Sequence, residues 1–433
     1  MRSRLAVCVL GVWSLVTSAT AQGQQAPGTI ASPRIYAPAP YDAPNNWPAR
    51  GVPAYDYYSD GQPAADPGYG AGPDGLVAEQ ISGDKGFDYE DSPFDRFLTA
   101  AVKSMWLRGE YLQWKFDGPG NTLLGSPVAG VVNPAIPFQA TVAGQPATAQ
   151  VPTTNALHFR NVQGFRGTVG LNTNEGSLEA NYFNFSRAQS GQFLAVAPAP
   201  VLAPETQIQY ATSTLVHGQP SNNVFLYDSS FQVSQSTQMS GAEANWVAKS
   251  PYEEGFLTRP LVGFRYIDFR EQLFQRGVFN QGGQLNPPLV SDINSDVTNK
   301  VYAPQIGLRL EMVHRWLTVG FEPKVAFGVN NYNASVGTIH LRSPGDPPVL
   351  TTQSGSHFAP IGDFSFYGKL NLRDNFSLFG SYQIMVATGI SRPANNIYYN
   401  DNGPTNPAAI VVDPSFQRMV WQGFTVGGEL RFR

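Results

Sequence analysis

Five histidines and one acidic triplet are the side chains in this 433-residue chain whose types and spacing raise metal or acid–base chemistry. His158, His217, His314, His340 and His357 are scattered, and no pair has the i, i+4 helical spacing of a zinc protease. His340 and His357 share a stretch expected to be an outer loop, where solvated histidines are the plainer reading than a metal site. Asp292-x-Asn294-x-Asp296 begins like a calcium loop, but Val297 stands where the loop needs glycine, and no glutamate closes it. His340 with Asp346, or His357 with Asp363, could meet at the rim of a barrel as in a barrel hydrolase, but no nucleophile elbow or other motif accompanies them. The single cysteine, Cys8, lies in a segment expected to be removed, which leaves no thiol nucleophile, thiolate site or disulfide. The residues therefore predict a non-enzyme with no metal and no cofactor.

The elements around these residues explain more than the residues do. Arg2 and Arg4, an apolar run from Leu5 to Val16, and Ala19-Thr20-Ala21 predict a secretory signal peptide over 1–21, cut before Gln22. Residues 22–95 hold 11 Pro, 10 Gly and 11 acidic against 3 basic residues. Such a segment cannot bury enough apolar surface to offset chain entropy, so a disordered periplasmic linker is expected, with a cell-wall or periplasmic partner as its candidate role. Charged residues make up 14% of the chain, against about 25% in soluble domains. The formal charge of −4 offers no basic field for nucleic acid, and no run of eighteen apolar residues predicts a spanning helix.

From residue 96 onward the texture is that of strands. Leu317–Val329 is the clearest, with Leu317, Val319, Phe321, Val325, Phe327 and Val329 alternating against Thr318, Gly320, Glu322, Lys324, Ala326 and Gly328. Similar alternation marks Gly164–Leu171, Ser177–Ser186, Gln238–Ala248, Pro260–Phe269, Tyr302–Met312, the segment around Phe364–Leu372, Phe376–Ala387 and the last strand through Phe432. Trp106–Phe116 alternates least cleanly, because Arg108 and Glu110 share a face with two tryptophans. The connections alternate long and short, with long gaps at 117–163, 187–237, 270–299, 331–358 and 388–416. An antiparallel transmembrane barrel of about ten strands over 96–433 produces this rhythm, with short turns on one side and long loops on the other. Twelve strands are the alternative if a loop hides a hairpin near Val224–Val233.

The polar face carries full charges. Arg108, Arg166, Arg265, Arg309, Lys324, Lys369 and Arg431 are expected to point inward, with Glu110, Glu179, Glu243, Glu311, Glu322, Asp363 and Glu429. Equal numbers of each sign suit paired networks across a narrow interior, because lumenal charges avoid a burial cost only when paired or hydrated. Open porins use roughly 16–18 strands, so a narrow or plugged lumen is expected here. The apolar face should meet outer-membrane lipid. Phe424, Val426, Leu430 and Phe432 give the last strand the alternating, aromatic-ended form that barrel assembly machinery reads, although Arg433 follows the aromatic.

Trp106-Leu-Arg-Gly-Glu-Tyr-Leu-Gln-Trp114, Gly241-Ala-Glu-Ala-Asn245, Gly263-Phe-Arg-Tyr-Ile-Asp-Phe-Arg-Glu-Gln-Leu273, Thr298-Asn299 with Tyr302, and Gln305-Ile-Gly307 together resemble the planctomycete beta-barrel porins, the seventh family of that kind. The likeness covers roughly 105–433. It implies the outer membrane of a didermic bacterium and transfers no catalytic residue. The expected function is a narrow porin-like channel or an envelope structural protein. Surface adhesion through the loops 117–163 and 187–237 is the first alternative, and a barrel protease or lipase the second.

Overall fold

The computed structural model describes residues 102–142, 145–196, 207–252, 254–403, 408 and 410–432, so the expectations for 1–21 and 22–95 lie outside the described residues. Ten strands make the wall: β1 (Met105–Phe116), β2 (Phe159–Asn172), β3 (Gly176–Phe185), β4 (Ser230–Ala248), β5 (Gly255–Phe279), β6 (Leu289–Val313), β7 (Leu317–Ile339), β8 (Val349–Arg373), β9 (Phe376–Ser391) and β10 (Phe416–Arg431). Each pairs antiparallel with its chain neighbours. The ring closes where β1 meets β10, from Trp106↔Arg431 to Phe116↔Trp421. The twelve-strand alternative does not occur. Val224–Tyr227 joins a small sheet outside the ring, and the residues after it already belong to β4.

The wall has an apolar outer band of limited height. Along β5 the outward positions are Phe256, Thr258, Pro260, Val262, Phe264 and Tyr266, after which they become Asp268, Arg270 and Gln272. Along β6, Met312, Leu310, Leu308, Ile306, Pro304 and Tyr302 give way to Lys300, Thr298 and Asp296. Phe256 to Tyr266 covers about 34 Å of strand at ~3.4 Å per residue. At a tilt of about 45° that rises about 25 Å, the height of the apolar band on an outer-membrane barrel. Tyr111, Tyr182, Tyr266 and Tyr302 mark its upper edge, each followed by polar or charged outward residues, while on β9 Ile384 and Val386 carry the apolar face past Tyr382.

The strands run far past this band, and this corrects the expected loops. Most of 270–299 and 331–358 is strand, and the true connections are 280–288 and 340–348. Above the band both faces of β5–β8 can be polar, so apolar alternation stops although pairing continues through Phe279↔Leu289 and Thr338↔Val349. One side of the ring, β4 to β8, therefore stands taller than the other.

The remaining connections fold into a cap against the inner face of this tall wall. Phe138–Val142, Gln145–Gln150, Ile208–Ser213 and Val224–Tyr227 form a four-stranded sheet, and Ala188–Ala195 adds to the upper half of β4. Leu124, Leu157, Tyr227, Ile397, Tyr399 and Ile410 from the cap bury themselves against Phe231, Leu273, Ile293 and Val336 from the wall.

Candidate functional site

Period-two alternation places the charged residues inside the lower half of the ring, toward the short turns. Arg309 on β6 reaches over β5 and β4 to Glu179 on β3, with both terminal nitrogens 2.7 Å from its carboxylate, and its Nε lies 2.5 Å from Glu322. Lys324 sits 2.8 Å from Glu243, 3.2 Å from Glu322 and 3.5 Å from Asp363. Arg265 donates to Glu243 at 2.9 Å and also to Asp363, three strands away on the wall. A second group joins Glu429 to Lys369, to Arg431 at 3.2 Å and to Arg108 at 3.7 Å, and Arg108 lies 3.3 Å from Glu110. Glu311 pairs with Arg259 at 3.4 Å and accepts the Tyr367 hydroxyl at 2.8 Å. Arg166 donates to Gln383 at 2.7 Å and lies 6.0 Å from the Trp114 ring centre.

Arg259, Gln305, Gln383 and Tyr367 complete these networks and are absent from the sequence-based set. Arg259 sits just before the predicted start of its strand at Pro260. The uncharged residues carry no signal beyond their inward parity. Together the groups surround a polar cavity of about 370 Å³. Glycines on the inner face let rings fold across it. A Cβ on Gly170 would stand 2.1 Å from the Trp106 indole, and one on Gly320 would stand 2.2 Å from the Tyr367 ring.

Above the charges the interior turns apolar, a level that the expected set of lumenal charges does not describe. Leu112, Trp114, Phe116, Phe185, Phe269, Met385, Met419 and Trp421 form a buried collar. Trp114 packs on Phe185 at 5.0 Å, and Phe269 meets Trp421 edge-on at 5.4 Å. Over the collar, Arg392 from the last long connection makes a two-point bond to Glu271 of β5, at 2.8 and 2.9 Å. It also donates to the carbonyls of Gly118 and Asp117 at 2.6 and 3.1 Å.

The candidate chemical pairs are not assembled. His357 stacks on Phe416 at 3.9 Å, while Asp363 is buried in the lumenal network. Asp346 accepts the Arg342 and Ser343 backbone amides and the Ser343 hydroxyl. Burial would raise that carboxyl, but these donors hold it below its usual range. Asp292, Asn294 and Asp296 lie along a strand face, not a loop, with Asp292 bound by Arg276 at 2.7 Å. Among the described residues no three His, Cys, Asp or Glu side chains are placed to hold a metal. In the cap, burial pushes the Tyr227 phenol up to about 12.

A closed antiparallel ring of ten strands with an apolar belt outside and charge inside defines a β-barrel of the outer membrane. Residues 106–432 match the family described as "Putative beta barrel porin-7 (BBP7)", and the chain belongs to that family. Among solved structures, the outer membrane protease OmpT from Escherichia coli is similar at 10% identity and a TM-score of 0.41, over 76% of this chain and 97% of that one. A Pseudomonas aeruginosa FadL homologue is similar at 7% identity and a TM-score of 0.22, over 76% and 90%. The transport unit of the Escherichia coli autotransporter AIDA-I shares 8% identity at a TM-score of 0.21, over 79% and 99%. No curated protein matches the chain.

Proposed function

We propose that this is a porin-like outer-membrane barrel whose lumen is shut at rest, a passive envelope protein that holds a compact cap at the cell surface. The observation that carries this is the contact of Phe269 with Trp421 inside the ring. The lumenal charges from Arg108 to Arg431 serve as cross-braces for a narrow barrel and form a polar cup below the closure. In planar bilayers the unaltered protein should give no steady single-channel steps, whereas Phe269→Ala combined with Trp421→Ala should give small ones. Large steady steps from the unaltered protein would overturn the closed reading.

A second reading, surface binding through the loops, draws support from the cap's own four-stranded sheet and core. Exchanging the exposed connection 129–137 for a Gly/Ser linker and measuring cell adherence tests it. Outward placement of Phe424, Val426, Leu430 and Phe432 supports their reading by the assembly machinery and their contact with lipid. Export by residues 1–21 and a periplasmic or cell-wall partner for 22–95 belong to the same proposal.

A further inference from the structure

The outward face of the tall wall, just above the tyrosine girdle, carries a charge bias that closure of the lumen does not explain. Arg270 and Lys300 of the tall wall and Arg187 beside it are exposed at this level, and Lys115, Arg160 and Arg418 continue the bias onto β1, β2 and β10. Among the described residues of this wall the acids at this level are Asp268, bound by Arg270 at 2.7 Å, and Asp296, which accepts from Asn294. At the opposite rim the exposed charges are mixed, with Glu175, Glu254 and Asp374 among Lys103, Lys249, Arg315 and Arg373. An aromatic girdle fixes the depth at which a barrel sits, so residues one or two steps beyond it lie among lipid headgroups.

The same face holds a cleft of about 420 Å³. Arg187 overhangs it, held at 2.7 Å by Ser236 and 2.8 Å by Gln272, so its guanidinium is already positioned. Arg270 stands on β5, two residues before Gln272, and Thr298, Asn333, Ser335 and Thr352 supply amides and hydroxyls. Arginine forks match phosphate oxygens, and a row of amides and hydroxyls matches sugar. Asp296 also lines the cleft, tied to Asn294 at 2.6 Å, and burial raises its carboxyl.

We propose that this face, from Arg187 across Arg270 to Lys300, binds the phosphorylated saccharide headgroup of an outer-leaflet lipid. The test uses the folded full-length protein in detergent micelles, titrated with diphosphorylated lipid A, with the same lipid stripped of phosphate, and with glucosamine 1-phosphate. Changing Arg187, Arg270 and Lys300 together to Gln should weaken binding of the diphosphorylated lipid by at least about tenfold, since each basic group near an anionic headgroup adds to affinity. The rim control Lys249→Gln, Arg315→Gln, Arg373→Gln should leave it unchanged, and Arg270→Lys should retain most of it. Heat-modifiable gel migration reports folding, and the single Arg270→Gln variant should show a smaller loss in the same direction if the triple variant does not fold. Equal weakening by the control, equal binding of the phosphate-free lipid, or glucosamine 1-phosphate binding as tightly as the lipid would overturn the proposal.

Discussion

Phe269 and Trp421 project from β5 and β10, which stand on opposite sides of the ring, and their rings meet at 5.4 Å. Two buried rings that meet across the lumen narrow it at that level. Both rings are fully buried, so truncating either to Ala should cost about 3–5 kcal/mol of stability. Trp421→Phe should cost less, since it keeps most of the filled volume. Urea unfolding in detergent checks this, and equal losses for Ala and Phe would show that the ring contact contributes nothing.

Glu271 and Arg392 bind the last long connection to the wall. Arg392→Met leaves a buried carboxylate without its partner, at a cost of about 3–5 kcal/mol. Protease nicking between 392 and 415 should rise in that variant. Replacing both residues with Leu should recover much of the loss, and no recovery would mean that packing, not charge, fixes the cap.

At Gly170 the Trp106 indole lies where a side chain would begin. Gly170→Val should displace it at a cost of about 1–3 kcal/mol, with a shift in tryptophan emission. Adding Trp106→Leu should relieve the strain; a Gly170→Val variant as stable as the parent would refute the packing.

Val262 faces outward in the middle of the band. Val262→Arg should destabilise the folded barrel in a bilayer by about 2–4 kcal/mol, whereas Gln113→Arg, one outward step above the girdle on β1, should be nearly neutral. Refolding yields into lipid vesicles measure the difference, and equal yields would place the band elsewhere.

Tyr227 gives the cap a pH limit. Its phenol ionises near pH 12 when folded and near 10 when unfolded. A raised folded-state value means the stabilisation is complete below pH 10 and is lost as pH climbs from 10 through 12. Absorbance at the phenolate band should show late-titrating tyrosines, Tyr399 among them, of which Tyr227→Phe removes one, and cap opening over the same interval.

The membrane half of every strand but β1 was clearly legible in the sequence because lipid outside and charge inside enforce a period of two. Leu317 to Val329 shows this cleanly. Where lipid ends the signal ends, so Lys300, Thr298, Asp296 and Asn294 read as loop although they continue β6. The collar hid for the opposite reason. Trp114 and Phe116 share the inward face with Arg108 and Glu110, which blurred β1. Glu271 lies on a face that runs Arg265, Ile267, Phe269, Glu271, Leu273, Gln275, so following parity past Phe269 would have found it. Arg392 gives no such signal, since its role depends on a connection folding back over the ring.

The seam between β1 and β10 pairs with the same antiparallel register as any other neighbouring pair, and Met105 and Arg431 emerge at one rim beside the short turns. The ring is thus indifferent to where its covalent chain is cut. Linking those two ends and opening the 314–316 turn would give a circular permutant with every pairing retained and the same cap. Such a rearranged chain separates what the closed wall requires from what an outward aromatic at the chain's end does during insertion.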